Sequence, residues 1–192
     1  MITANFNELL EESAKIHGHL CAGQVIGVRM AILGLHIIGI SEPKGIDRKK
    51  LLVFVEIDRC ATDAIQSVTG CSLGHRTMKF YDYGKMAATF YNIETSAAVR
   101  VVAREEAREI AQTMYPYSKY GYDKYTAQML AYQTMTTEEL FTWANVSVNV
   151  KPEDMPGRPL VRVQCSMCGE FVQDNRHITR DARHICKPCF KG

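Results

Sequence analysis

Seven cysteines and six histidines carry most of the reactive chemistry of this 192-residue chain, and most of them fall into two groups. Toward the C-terminus, Cys165-x2-Cys168 is followed, after seventeen intervening residues, by Cys186-x2-Cys189. A two-residue gap lets a tight turn aim both sulfurs at one ion about 2.3 Å away, and two such turns complete a tetrahedron. Gly169 supplies the permissive backbone such a turn needs. Two pairs at this separation read as a zinc site, with two redox-active CxxC motifs as the competing reading. Four protein ligands leave no open position, which makes this zinc structural. A segment this short buries too little apolar surface to fold alone, so the metal carries most of its stability. His177 and His184, between the pairs, read as surface or packing residues.

The second group is His17-Gly18-His19-Leu20-Cys21-Ala22-Gly23. Side chains two residues apart point in nearly opposite directions on a helix but share a face in an extended or turning segment. The triplet therefore belongs in a loop between two helices, with Cys21 at the N-terminus of the second. There the positive end of the helix dipole favours its thiolate. Cys60 repeats this logic: it follows the apolar run Leu51–Ile57 and opens a helix, at the strand edge where α/β sheets tend to place ligands. Cys21 and Cys60 are thus candidate metal ligands or nucleophiles, and His17 and His19 candidate metal ligands. A body site with three protein ligands keeps a position for water or substrate, as catalytic zinc does. In a hydrolase or transferase, Asp63 or a free histidine would then serve as base and Lys85 would stabilise an anion. Eleven helical steps of about 1.5 Å would put Cys71 roughly 16 Å from Cys60, so it joins the same ion only if the chain folds back after Gly70. His36 reads as a core or interface histidine.

The remaining sequence must position these groups. Apolar spacing and stop signals predict helices over Asn7–Ile16, Ala22 to about Ile38, Cys60–Thr69, Glu105–Tyr115 and Tyr122–Gln133. A further helix starts at Thr136-Thr137-Glu138-Glu139, which has a capping residue and early acids. Strands are predicted at Leu51–Ile57, Lys85–Glu94, Ala97–Ala103 and Trp143–Val150. Three prolines and a glycine in Lys151–Pro159 mark a linker. The expected division is an α+β domain over 1–155 and a four-cysteine finger, zinc ribbon or treble clef, over 156–192.

Composition narrows the function classes. With 46% hydrophobic and 23% charged residues the chain is of ordinary globular type, and 23 Lys/Arg against 21 Asp/Glu gives no field for nucleic-acid steering. Residues 151–192 are mildly basic, with eight Lys/Arg and five Asp/Glu. The run Tyr115–Tyr125 interleaves tyrosines with lysines in a way that stacked bases would suit, although a packed helix junction is the better reading. No segment approaches the ~20 apolar residues of a membrane span. Met1–Glu12 carries acids where a signal peptide would be basic, so a cytoplasmic protein is expected. The helix from Ala22 is apolar over most of its circumference, which points to burial in the core or in a homodimer.

Read together, HGHLCAG at 17–23, CATDAIQ at 60–66, GCSLG at 70–74 and DYGK at 82–85 resemble the FmdE family, named for a component of formylmethanofuran dehydrogenase, over about Phe6–Arg100. The resemblance implies a thioredoxin-like α+β core with a mixed β-sheet flanked by helices, often dimeric. It implies a metal site at His17, His19, Cys21 and Cys60, of zinc or another transition metal, with Asp63 and Gln66 beside it. It also implies association with the molybdenum or tungsten enzyme that interconverts carbon dioxide and formylmethanofuran, in the one-carbon metabolism of anaerobes. After Gly74 the family often has Lys-Gly-Asn, where this chain has His75-Arg76-Thr77.

Overall fold

A computed structural model describes residues 5–192; residues 1–4 of the acidic N-terminal stretch lie outside the described residues. The chain forms two compact units, Met1–Val148 and Asn149–Gly192. In the first, helix α1 (Phe6–His17) starts at a capping box, in which Asn5 accepts from the Glu8 N–H and Glu8 accepts from the Asn5 N–H. It stops at Gly18, whose φ of 94° an L side chain would resist. Helix α2 (Ala22–Ile37) follows Cys21, and strand β1 (Leu51–Val55) leads into helix α3 (Cys60–Thr69). Strands β2 (Met78–Phe80), β3 (Ala87–Asn92) and β4 (Ala98–Ala103) come next. Four helices then intervene: α4 (Ala107–Met114), α5 (Tyr117–Tyr120), α6 (Lys124–Thr134) and α7 (Thr137–Leu140). Strand β5 (Phe141–Asn145) closes the sheet.

The sheet runs β2-β1-β3-β4-β5, with β1 parallel to β2 and the other pairs antiparallel. A β–α–β unit followed by an antiparallel meander is the mixed α+β architecture expected for a thioredoxin-like core. Every residue of β1 is buried, as its continuous apolar run requires for a strand inside the sheet. Leu51, Val53 and Val55 join Phe90, Val99 and Val101 in one core with Val25, Val28, Met30 and Leu35 of α2. Helix α2 approaches its neighbours through glycines. A Cβ on Gly27 would lie 2.5 Å from the Ala61 carbonyl oxygen, and one on Gly34 2.2 Å from the Phe90 ring. That spacing locks α2 onto α3 and onto the sheet, and so fixes Cys21 relative to Cys60.

The sequence-based elements differ from the structure mainly at the sheet edges. Strand β2 was not foreseen, because three residues leaning on β1 leave no periodic signal. The strand expected over Trp143–Val150 runs instead from Phe141 to Asn145. Its partner β4 begins at Ala98, so the ladder ends once the Val146 N–H has reached the Ala98 carbonyl. His36 is exposed on α2 and lines a cleft, so it is not a core residue.

The second unit holds two hairpins, β6 (Arg162–Gln164) with β7 (Phe171–Gln173) and β8 (His177–Arg180) with β9 (Arg183–Cys186), then helix α8 (Lys187–Lys191). The proline-rich stretch Lys151–Pro159 belongs to this unit. Its 3-10 turn Pro152–Asp154 presents Asp154 to Arg176, and the adjoining Leu160 N–H donates to Asp174 at 3.0 Å.

Candidate metal centres

In the first unit, His17, Cys21 and Cys60 offer a nitrogen and two sulfurs that all lie within 4.8 Å of one another. Three elements converge to make this set. His17 is the last residue of α1, Cys21 the N-cap of α2, and Cys60 the first residue of α3. Gly18 turns the chain between the first two. Gly23 permits the approach of the third, since a Cβ there would stand 2.8 Å from the Cys60 Cβ and 3.6 Å from the Cys21 sulfur.

The His17 ring is oriented by a carboxylate. Its Nδ1 lies 2.8 Å from Asp63 Oδ2, and because a carboxylate only accepts, Nδ1 carries the proton. In the neutral imidazole this puts the lone pair on Nε2, which is buried and has no hydrogen-bond partner. A buried imidazole nitrogen without a partner is costly, and an ion at this position would satisfy it. The carboxylate–histidine arrangement is the usual support of a metal-bound histidine. Donor chemistry and burial therefore fit a transition metal of the zinc type. Burial, then a hydrogen bond with Cys21, hold the Cys60 thiol above its ordinary value in the metal-free chain.

One further residue, not singled out by sequence reasoning, braces this centre. Gln24 is fully buried in α2, accepts from the Ser13 hydroxyl of α1, and donates to the Cys60 carbonyl at 2.6 Å. Its one mark in the sequence is that it is the single amide of α2, a helix that also carries Arg29 and His36.

A cleft of about 510 Å³ adjoins the set, lined by His17, Cys60, Asp63 and Gln66 and by the apolar Leu73, Met78 and Phe80, among others. The remaining sequence candidates take other places. His19 is exposed, its ring 4.7 Å from that of His17, and its nitrogens are not in the ligand set. Cys71 is buried in the hydrophobic core, and burial raises its thiol. Lys85 is exposed and does not line this cleft. Within Tyr115–Tyr125, Tyr115, Tyr120 and Tyr122 pack on one another at 5.4 to 6.3 Å, as in a helix junction.

In the second unit the four sulfurs of Cys165, Cys168, Cys186 and Cys189 lie within 4.8 Å of one another. The first turn is closed by the Gly169 N–H donating to the Cys165 carbonyl at 2.9 Å, with Gly169 at φ 78°. The second pair opens α8, where the Cys189 N–H donates to the Cys186 sulfur at 3.5 Å. A turn, a hairpin and a helix N-terminus supplying the last pair make a treble-clef arrangement. Backbone N–H groups of Cys168, Cys186 and Met167 bring the Cys165 thiol down to about 6, so one sulfur is ready to ligate at neutral pH. His177 and His184 pack edge to face at 4.5 Å and are outside this ligand set.

Comparison with known proteins agrees with this fold. A crystal structure of a tungsten formylmethanofuran dehydrogenase FmdE-like protein from Syntrophus aciditrophicus shares the fold. The TM-score is 0.61 over 98% of this chain and 93% of that one, at 22% identity. A probable S-adenosyl-L-methionine-binding protein of Archaeoglobus fulgidus is 32% identical over 104 residues. That match takes in 54% of this chain and only 28% of the relative. The family model described as "FmdE, Molybdenum formylmethanofuran dehydrogenase operon" matches residues 16–142, a span that contains His17, Cys21, Asp63 and Cys60. The match covers more than half of the sequence, and the chain belongs to the FmdE family.

Proposed function

We propose that this FmdE-family chain is a metal-binding accessory protein. Its first unit holds a transition metal, zinc before others, on His17 Nε2, Cys21 Sγ and Cys60 Sγ. Its second unit holds a structural zinc on Cys165, Cys168, Cys186 and Cys189. The observation that carries the reading is the buried, unpartnered Nε2 of His17, opposite an Nδ1–H committed to Asp63.

Three protein donors leave a tetrahedral ion one position short, and the cleft beside them has room for a small donor ligand. When bound, such an ion supplies Lewis acidity and a low-pKa water or ligand at that position. The chain's own residues do the rest. Asp63 fixes the His17 tautomer, Gln24 holds the start of α3, and Leu73, Met78 and Phe80 give the cleft an apolar wall. A hydrolase or transferase in which Asp63 is the base is the weaker reading, because that carboxylate is already engaged by His17. The family description supports a place beside a molybdenum or tungsten formylmethanofuran dehydrogenase, and α2, apolar almost all round, supports a homodimer.

Cobalt(II) substitution tests the open position. The body site, loaded with cobalt, is expected to give a tetrahedral thiolate spectrum that changes when imidazole or a small thiol is added. A body-site spectrum indifferent to every added donor would show a closed site and refute the reading. Turnover by the isolated, metal-loaded chain would overturn the accessory role.

A further inference from the structure

We propose that Cys21 and Cys60 form a reversible disulfide on reaction with hydrogen peroxide, which makes the first-unit site a redox modification site whose oxidised form cannot hold an ion. Release of an ion rests on the metal reading above, whereas the disulfide rests on the sulfur geometry alone.

The two sulfurs lie within 4.8 Å of each other. A disulfide needs about 2.05 Å, so the sulfurs must close by less than about 3 Å, within the reach of side-chain rotation. Gly23 leaves room beside them, since a Cβ there would stand 2.8 Å from the Cys60 Cβ and 3.6 Å from the Cys21 sulfur. Both cysteines sit at helix starts, Cys21 as the N-cap of α2 and Cys60 as the first residue of α3. Both are half-buried and so reachable, and Cys21 also lines a second cleft of about 440 Å³ with Leu20, Tyr125 and Met129. That cleft includes neither His17 nor Cys60, so Cys21 borders open space apart from the cleft that Cys60 lines. Cys71 does not compete, being 2% exposed in the core.

The chemistry balances with peroxide as the oxidant. The Cys21 thiolate attacks one peroxide oxygen, the O–O bond breaks, and hydroxide leaves a sulfenic acid on Cys21. The Cys60 thiolate then attacks that sulfur, the S–S bond forms, the S–O bond breaks, and a second hydroxide leaves. Each hydroxide takes a proton to become water. The two sulfurs lose two electrons in all, and one peroxide becomes two waters. Thiolates ligate and disulfide sulfurs do not, so of the three donors only His17 would remain.

The full chain, purified without oxygen and loaded with zinc, would be treated with one equivalent of hydrogen peroxide, alkylated and digested with trypsin. The expected product is the peptide Ile16–Arg29 joined to Cys60–Arg76 with the loss of two hydrogens, and fragmentation places the bond on Cys60, not Cys71. About one zinc per chain is released to a chromophoric indicator, and dithiothreitol reverses both changes. If the joined peptide forms in a chain that carried no first-unit zinc, the metal reading fails and the disulfide stands. If Cys21 and Cys60 are recovered alkylated, or as sulfinic or sulfonic acids without the cross-link, while peroxide is consumed elsewhere, the proposal is overturned.

Discussion

Replacing Asp63 by alanine is expected to weaken zinc binding at the first-unit site by about tenfold while leaving the fold intact. The carboxylate touches no ion itself; it accepts the Nδ1–H of His17 at 2.8 Å and holds the Nε2 lone pair on the ligand side. Removing such a support costs roughly 10- to 100-fold in metal affinity, or about 1.4 to 2.7 kcal/mol. The side chain of Asp63 is 55% exposed, so water screens its charge and replaces part of its hydrogen bond, which puts the loss at the low end. An asparagine in its place would keep an acceptor for the Nδ1–H without the charge. A neutral hydrogen bond is about half as strong as a charge-assisted one, so Asp63→Asn is expected to lose only about threefold. The assay is competition with a chromophoric chelator, reading the zinc-release phase that Cys60→Ser abolishes. Circular dichroism provides the control, because Asp63 in the first turn of α3 contributes only about 0.3–1 kcal/mol through the helix dipole. An affinity unchanged within twofold in Asp63→Ala would refute the orientation of His17 by Asp63, and with it the placing of the lone pair.

Two further perturbations test how the site is held and how the unit is stabilised. Gly23→Ala adds a Cβ 2.8 Å from that of Cys60, closer than two such atoms pack, so α2 and the start of α3 must shift apart. Its zinc affinity at the first-unit site is expected to fall by at least tenfold, with a thermal midpoint only a few degrees lower; unchanged affinity would show that the ligand set tolerates the shift. Asp47 accepts from the Ser41 and Glu42 N–H groups at 3.1 Å each, and its backbone hydrogen bond with Glu42 contributes most to holding its carboxyl below the ordinary value. Asp47→Ala is expected to destabilise the first unit by about 1–2 kcal/mol near pH 7. A depressed folded-state pKa stabilises above the unfolded value of about 3.9 and loses that effect as pH falls through the folded one. The gap between wild type and Asp47→Ala in denaturant unfolding should therefore narrow below about pH 4. A gap that widens in acid would contradict the sign.

The parts of this structure that were legible in the sequence are those with local causes. Spacing alone announced the four-cysteine cluster, and the glycine after His17 announced the break between α1 and α2 that leaves His17 and Cys21 facing one another. Cys60 was recognisable because a buried strand ends just before it and a helix starts on it. What stayed hidden depends on contacts across the chain. Nothing local distinguishes His17 from His19; only in the fold does His17 come within 4.8 Å of the two sulfurs, with Asp63 of another helix against its ring. Gln24 looked like an ordinary helix residue until α1 and α3 closed on it. Strand β2 is three residues long and exists only because β1 offers a free edge. The proline-rich stretch read as a free linker, yet Asp154 is held by Arg176, a pairing set by the hairpins that follow.

The central claim is that the chain carries two metal sites of different kind, one in each unit. Metal content per chain, measured by plasma mass spectrometry on untagged protein purified without oxygen, tests it directly in wild type and in Cys21→Ser/Cys60→Ser. Two ions per chain falling to one in the double variant is the predicted result. One ion in both proteins, lost only when Cys165 or Cys186 is changed, would contradict the account and leave the treble clef as the sole metal site.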